Sequence, residues 1–497
     1  MDVDALNNFL LIGALVLIVS VAAVRASVRI GLPSLVLYLL IGVLLGEAVL
    51  GIEFEDARLA QALAFAALVV ILAEGGLATR WDDIRPSLAI GVSLATVGVA
   101  VTTTVVALVA HFFLGLGWKL AILVGAVFAP TDAAAVFSTL RRVPLKRRVA
   151  STLEAESGLN DAPTVVLVTV IASGELVELD VWMVAGVMAY QLIVGVVVGL
   201  VVGRLAVALL RRAALPALGL YPLTVMTFAL LAYVTAAMAS ASGFASVYVA
   251  ALILGNSQLP HRAATRSFAE GLAWLAQIGL FVMLGLLASP SQMPGAIVPA
   301  VAAGAVLLFV ARPLAVLIAC LPFRLPWREL MFLSWAGLLG AVPVVLATIA
   351  LAEGVERSPE LFAIVFVVSV ILTVVQAPTL PWVARKLDVG DSQPRDADVE
   401  SAPLDRLDAD LVQLRVPPGS KLHGVEVGEL RLPVGVSVGL IVRDERSFVP
   451  DASSVLRYGD DVLIVAPRHL REATEKRLRA VGRHGRLARW ISPDTPE

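Results

Sequence analysis

The chain has 497 residues, of which 59% are apolar and 16% charged, with a formal net charge of −2. Soluble domains average about 45–50% apolar and about 25% charged residues, so this composition excludes an ordinary soluble protein, and the apolar excess excludes intrinsic disorder. The near-zero net charge argues against a nucleic-acid partner, and the single cysteine, Cys320, allows no intrachain disulfide and no cysteine-based metal cluster. Charge is unevenly spread: residues 1–386 hold 43 charged residues and residues 387–497 hold 35. The first part reads as a membrane domain and the second as a soluble tail.

A bilayer core about 30 Å thick needs roughly 20 apolar residues of helix. Thirteen segments qualify in chain order: 9–24, 31–50, 59–78, 87–112, 118–140, 149–173, 181–203, 220–240, 243–257, 268–288, 296–320, 329–352 and 359–383. Their runs are continuous rather than alternating, which excludes a β-barrel. The connecting loops alternate in charge. One set carries seventeen Lys/Arg, including Arg80, Arg85, the cluster Arg141, Arg142, Lys146, Arg147 and Arg148, and Arg385 with Lys386; the other carries only Arg58, Lys119 and Arg357. The positive-inside rule puts the first set in the cytoplasm, with the N-terminus outside and the tail cytoplasmic. The start, Met1-Asp2-Val3-Asp4, has no basic region, so no cleaved signal peptide is expected.

A charge at mid-bilayer costs at least about 2.5–3.5 kcal/mol, so ionisable residues at depth are functional candidates. Five stand out: Glu74 in the third span, Asp132 in the fifth, Glu156 and Asp161 in the sixth, and Arg312 in the eleventh. Glu154 lies nearer the cytoplasmic end; Glu270 suits a helix start, and Glu47 suits an interface. In the sixth span, Glu154-Ala-Glu156-Ser157-Gly158-Leu159-Asn160-Asp161-Ala-Pro163, the i,i+4 spacing stacks Ser157 over Asp161 and Glu156 over Asn160. Ser157 and Asp161 therefore offer neighbouring oxygens to one small cation. Arg312 needs an anionic partner, and Glu156 is the obvious one; the pair's plainer role is to hold helices together. For Asp161 the plainer alternative is a buried structural carboxylate.

The fifth span contains Phe128-Ala129-Pro130-Thr131-Asp132. Pro130 removes a backbone donor and opens the helix, and a broken helix carrying an acid marks ion sites in secondary transporters; a simple proline kink is the alternative. The twelfth span, Trp335-Ala-Gly337-Leu338-Leu339-Gly340-Ala-Val342-Pro343, is interrupted in the same way. With spans 1–6 and 8–13 as inverted repeats, these two broken helices occupy equivalent positions. A carboxylate in a narrow cavity holds a proton or a cation but not both, so a site that crosses only when loaded performs exchange. No Walker A pattern is present, so ion gradients would supply the energy.

Thr131-Asp132 followed by Glu156-Ser157-Gly158-Leu159-Asn160-Asp161 resembles the monovalent cation/proton antiporter-1 family, the NhaP-type sodium or potassium/proton exchangers. The likeness extends to Glu74-Gly75-Gly76-Leu77, Ala311-Arg312-Pro313-Leu314, and Ser334-Trp335 with Gly340-Ala341-Val342-Pro343, covering essentially residues 1–386. It implies an all-α polytopic membrane fold of about thirteen helices, an ion-carrying core, a dimerisation domain, and a role in pH homeostasis. It also implies that Asp161 carries the cation or the proton. Asp132, Ser157, Thr131 through its carbonyl, and Glu74 complete the cation shell. Asn160 supports the site, Glu156 and Arg312 pair structurally, and Asn before Asp points to electroneutral exchange of one cation for one proton. Members commonly read Gly-Leu-Arg-Gly where this chain reads Gly337-Leu338-Leu339-Gly340, so Leu339 removes a positive charge from the crossing and leaves the acidic site.

In the tail, residues 387–406 read as a polar, proline-containing linker. Short β-like runs follow at Leu411–Val416, Ser437–Arg443 and Val462–Ala466. The stretch Val436–Asp444, with Leu456-Arg457-Tyr458-Gly459-Asp460-Asp461 after it, resembles the C-terminal regulator of potassium conductance (RCK-C, TrkA-C) domain over 407–480, a small α+β unit. The resemblance implies dimerisation and a small regulatory ligand such as a nucleotide; a solubilising or assembly role is the plainer reading. Residues 481–497 read as a basic extension. Function is thus expected to be antiport of K⁺, with Na⁺ close behind, for H⁺, and no cofactor is expected. A Na⁺/H⁺ antiporter with a purely structural tail is the alternative. An intramembrane aspartyl protease lacks its Gly-x-Gly-Asp motif here, and a tail-gated K⁺ channel lacks a Thr-Val-Gly-Tyr-Gly filter.

Overall fold

The structure is a computed structural model. It describes residues 3–30, 34–46, 56–132, 136, 145–173, 181–213, 215–288, 293–340, 342–390, 398–404, 409–444 and 446–485. Glu47, Ala133–Ala135, the basic pair Arg141 and Arg142, and residues 486–497 lie outside these. The chain divides into two compact units, Met1–Asp391 and Ser392–Glu497, each taken by itself below.

The first unit is helical: α1 (Val3–Ile30), α2 (Ser34–Leu45), α3 (Ala57–Ala78), α4 (Trp81–Leu114), α5 (Trp118–Val127), α6 (Arg147–Ala172), α7 (Val181–Arg212), α8 (Leu220–Met238), α9 (Gly243–Asn256), α10 (Arg262–Leu287), α11 (Met293–Phe323), α12 (Trp327–Trp335), α13 (Val342–Ala352) and α14 (Ser358–Lys386). Each of the thirteen apolar segments includes helix among the described residues. Among the described residues, seven helices are long and apolar enough to cross a membrane, and the shorter apolar ones include α5, α9 and α13. Exposed Leu, Val, Phe and Trp side chains along α1, α7, α8 and α11 suit a lipid-facing surface.

Both expected helix breaks are present. The ladder of α5 stops at Val127, and Phe128–Asp132 continue as irregular backbone because Pro130 has no N–H to offer. Helix α12 stops at Trp335, and residues 336–340 are non-helical before α13 begins. Two further irregularities are single π-turns inside long helices, Leu94–Gly98 in α4 and Leu307–Ala311 in α11. Such wide turns recur at functional sites, and the second sits directly before Arg312-Pro313.

The second unit is a five-stranded antiparallel sheet, β1 (Asp398–Leu404), β2 (Ala409–Arg415), β3 (Ser437–Arg443), β4 (Arg446–Phe448) and β5 (Asp461–Pro467), in the order β1-β2-β5-β3-β4, with helix α15 (Arg471–His484) beside it. Strand β5 alternates buried and half-buried residues, the period-2 pattern of a strand with one covered face. Val412, Leu414, Ile441, Val462, Ile464, Leu478 and Val481 share its core. Asp460 is fully buried, and its carboxylate accepts two hydrogen bonds from the Arg443 guanidinium at 2.8 and 2.7 Å and one from the Arg457 amide at 2.7 Å.

Two expected boundaries shift. Part of the expected linker is strand β1, an edge strand, where a proline such as Pro403 is tolerated. Its polar composition hid it, because an edge strand needs little apolar patterning. Helix α15 runs to His484, past residue 480, because Val481 closes the core from the helix side.

Candidate ion site

The site is built where the two broken helices cross. The Asp132 amide donates to the Leu338 carbonyl at 2.8 Å, tying the break after α5 to the break after α12. This contact requires backbone to approach side chain closely, and the glycines of the second break permit it. A Cβ at Gly340 would run into the Asp132 carboxylate, and one at Gly337 into the Arg312 guanidinium. The Gly-x-x-Gly spacing is therefore set by two charged neighbours.

Helix α6 supplies the rest. Pro163 lies inside it and leaves the Leu159 carbonyl without its usual helical partner, beside Asn160 and Asp161. Thr164 donates to the carbonyls of both Asn160 and Asp161 at 2.9 Å, filling acceptors one turn back. The Asn160 side chain donates from Nδ2 to the Thr131 hydroxyl at 3.0 Å, so α6 and the first break are fixed to each other. Asp161 is half-buried, has Asp132 as its charged neighbour, and keeps Oδ1 buried without a hydrogen bond. Asp161 thus has a second carboxylate as a neighbour and one buried acceptor without a hydrogen bond, an arrangement to which a cation or a proton would be attracted.

Glu156 points to another side of α6. It is 1% exposed and pairs through Oε1 with Arg312 Nη1 at 2.6 Å, and Arg312 is 5% exposed. Removing either partner would strand a charge in low dielectric, so the pair fixes α6 to α11. Glu74 is half-buried near the end of α3, and its charged neighbours are Glu270 and Arg266 of α10. Asp161, Asp132, Thr131, Asn160, Glu156 and Arg312 thus gather on α6 and at the crossing, with Ser157 one turn before Asp161 and Pro130 in the break.

Sequence reasoning passed over three contributors. Tyr248, buried on α9, sets its hydroxyl against Gly158, with Thr79, Glu154 and Asp161 as polar neighbours. Gln376 and Thr373 of α14 donate to carbonyls at the second break, Gln376 Nε2 to Trp335 O at 2.9 Å and Thr373 Oγ1 to Leu339 O at 3.3 Å. A lone amide inside the apolar 359–383 run was the available signal for Gln376. At the crossing Leu339 is 3% exposed and lines a small cavity with Phe128, Thr131, Arg312 and Gln376.

Residues 14–386 match the model of the sodium/hydrogen exchanger family, and residues 411–479 match that of the TrkA-C domain. The chain is 37% identical over 474 residues to the K⁺/H⁺ antiporter NhaP of Alkalimonas amylolytica, covering 93% of this chain and 82% of that one. It is 34% identical over 482 residues to the K⁺/H⁺ antiporter NhaP2 of Shewanella oneidensis, covering 95% and 83%. A more distant relative is the Na⁺/H⁺ antiporter NhaS2 of Synechocystis, 26% identical over 73% of this chain and 68% of that one. In fold, the structure is similar to the sodium proton antiporter MjNhaP1 of Methanocaldococcus jannaschii, with a TM-score of 0.68 at 21% identity over 77% of this chain and 99% of that one.

Proposed function

The chain belongs to the sodium/hydrogen exchanger family and is a membrane cation/proton antiporter; on that premise we propose that it exchanges K⁺ for H⁺, one for one, with Asp161 as the group that binds either ion. The observation that carries the site is the crossing, where the Asp132 amide donates to the Leu338 carbonyl and Asp132 is the charged neighbour of Asp161. A cation there takes oxygen ligands from Asp161, Asp132, Ser157 and the Thr131 carbonyl, and Glu74 serves the same path from its place near Arg266. A proton on Asp161 removes the charge that holds the cation. Loading by one ion thus expels the other, and alternating access carries whichever is bound.

K⁺ is favoured because the two relatives named K⁺/H⁺ antiporters align over more than 90% of this chain, tail included. The orientation that suits the loop charges places the N-terminus outside and the TrkA-C domain in the cytoplasm. The protein acts as a homodimer through its membrane and tail domains in the cytoplasmic membrane. The tail adjusts activity, with a nucleotide as its candidate ligand. A second reading, a Na⁺/H⁺ antiporter with a structural tail, draws on NhaS2 and MjNhaP1, which are named for sodium or Na⁺.

Ion identity is tested with purified protein in sealed vesicles. Proton flux is followed while equal concentrations of K⁺, Na⁺ or Li⁺ are applied at several pH values. K⁺ is expected to drive the largest flux, unchanged when the membrane voltage is clamped. Flux with Na⁺ and none with K⁺ selects the second reading, and voltage-dependent flux contradicts one-for-one exchange.

A further inference from the structure

The second break is held from behind by α14. Its residues Thr373, Gln376 and Thr379 recur every three positions along an otherwise apolar face. Gln376 Nε2 donates to Trp335 O at 2.9 Å, Thr373 Oγ1 donates to Leu339 O at 3.3 Å, and the Trp335 indole donates to Thr379 Oγ1 at 3.0 Å. Trp335 is the last residue of α12, so its carbonyl is one that the helix end leaves unmatched. Between these pinned carbonyls lies Leu338, whose own carbonyl accepts from Asp132. The position of Asp132 therefore depends on a chain of contacts that starts at α14.

Gln376 has a second face. It is 1% exposed, and its Oε1 has no hydrogen-bond partner. Arg312 leaves Nε and Nη2 in the same condition. Gln376 and Arg312 both line the small cavity behind the crossing, with Thr131. Arg312 is already neutralised by Glu156, so the cavity offers two donors and an acceptor with no net charge to attract an ion. The space is water-sized and mostly apolar in its lining, with Thr131, Arg312 and Gln376 as the polar members that would hold one water molecule.

We propose that Gln376 is a positioning residue of the ion site: it holds the second break so that the Leu338 carbonyl meets Asp132, and it shares one buried water with Arg312. It touches neither ion and acts through Trp335 and Leu338. The proposal rests on the exchange activity above, which wild-type protein in the same vesicles tests separately.

The experiment compares wild type, Q376L and Q376E by the KM for the cation, the turnover at saturation and the pH profile. Loss of one such hydrogen bond corresponds to at most about a tenfold change in affinity. Q376L is expected to raise KM by up to about that factor while turnover changes little. Q376E, of nearly the same size, cannot donate to Trp335 O as a carboxylate and draws Arg312 from Glu156; it is expected to raise KM and displace the pH profile. Wild-type KM and pH profile in folded Q376L or Q376E, or lost turnover at unchanged KM, overturns the positioning role. Should Q376L fail to insert, Q376E carries the same comparison. The water is tested in a map fine enough to show solvent: a peak about 3 Å from both Gln376 Oε1 and Arg312 is expected, and an ordered cavity without one overturns that part.

Discussion

Glu156 and Asp161 sit five residues apart on one helix, and their surroundings give them different work. Glu156 meets Arg312 in a contact closed to water, whereas Asp161 meets another acid, Asp132, at a half-open position. The first arrangement joins opposite charges and the second brings like charges together. Glu156→Gln should therefore strand Arg312 and lower the stability of the detergent-solubilised protein by about 3–5 kcal/mol, seen as a fall in melting temperature. Replacing both partners by methionine should recover most of that loss, because no buried charge then remains. A double variant as unstable as the single one would contradict the pairing account. Charge at depth made these residues legible in the sequence: an arginine in an apolar run needs an acid, and Glu156 was available. Gln376 and Tyr248 were not legible as site residues, because neutral side chains in apolar helices show their role only when distant segments meet.

At the scale of elements, two interrupted helices do what an intact pair could not: they bring backbone polar groups together inside the helical unit and match them to each other. Pro130 and the Gly337/Gly340 pair announced both breaks. What they could not announce is how the breaks engage, Asp132 amide to Leu338 carbonyl, since that depends on register across some 200 residues of chain. Gly340→Ala should push the Asp132 carboxylate aside and reduce exchange by on the order of tenfold or more while insertion is retained; wild-type KM and turnover in that variant would show that the close approach is incidental. In the tail, the Ser454 and Ser453 hydroxyls donate to Asp451 Oδ1 at 2.7 and 2.9 Å and hold its carboxyl below the usual carboxylate range. A depressed folded value means that the stabilisation is complete above the unfolded value, about 3.9, and is lost as pH falls through the folded one. Protection against hydrogen exchange in the Asp451–Ser454 turn of the full chain, taken relative to the intrinsic rate at each pH, should therefore fall only in that acid range, and Asp451→Ala should remove that fall.

For the whole molecule, sequence and structure divide the chain between a sparsely charged helical unit and a charge-rich sheet unit. The division was legible from composition alone, whereas strand β1 was not, because its sequence is nearly as polar as a linker. The residues proposed for exchange all lie in the first unit, so a chain ending at residue 391 should still exchange cation for proton in vesicles. Its pH dependence should differ from that of the full chain if the tail adjusts activity; an identical profile would leave the tail a structural part. The central claim is that one carboxylate, Asp161, holds either the cation or the proton. It is tested most directly by cation-driven proton flux in vesicles containing wild-type protein or Asp161→Asn. Flux in the wild type and none in an Asp161→Asn protein that inserts and melts like it is the expected result, and normal exchange by that variant would contradict the account.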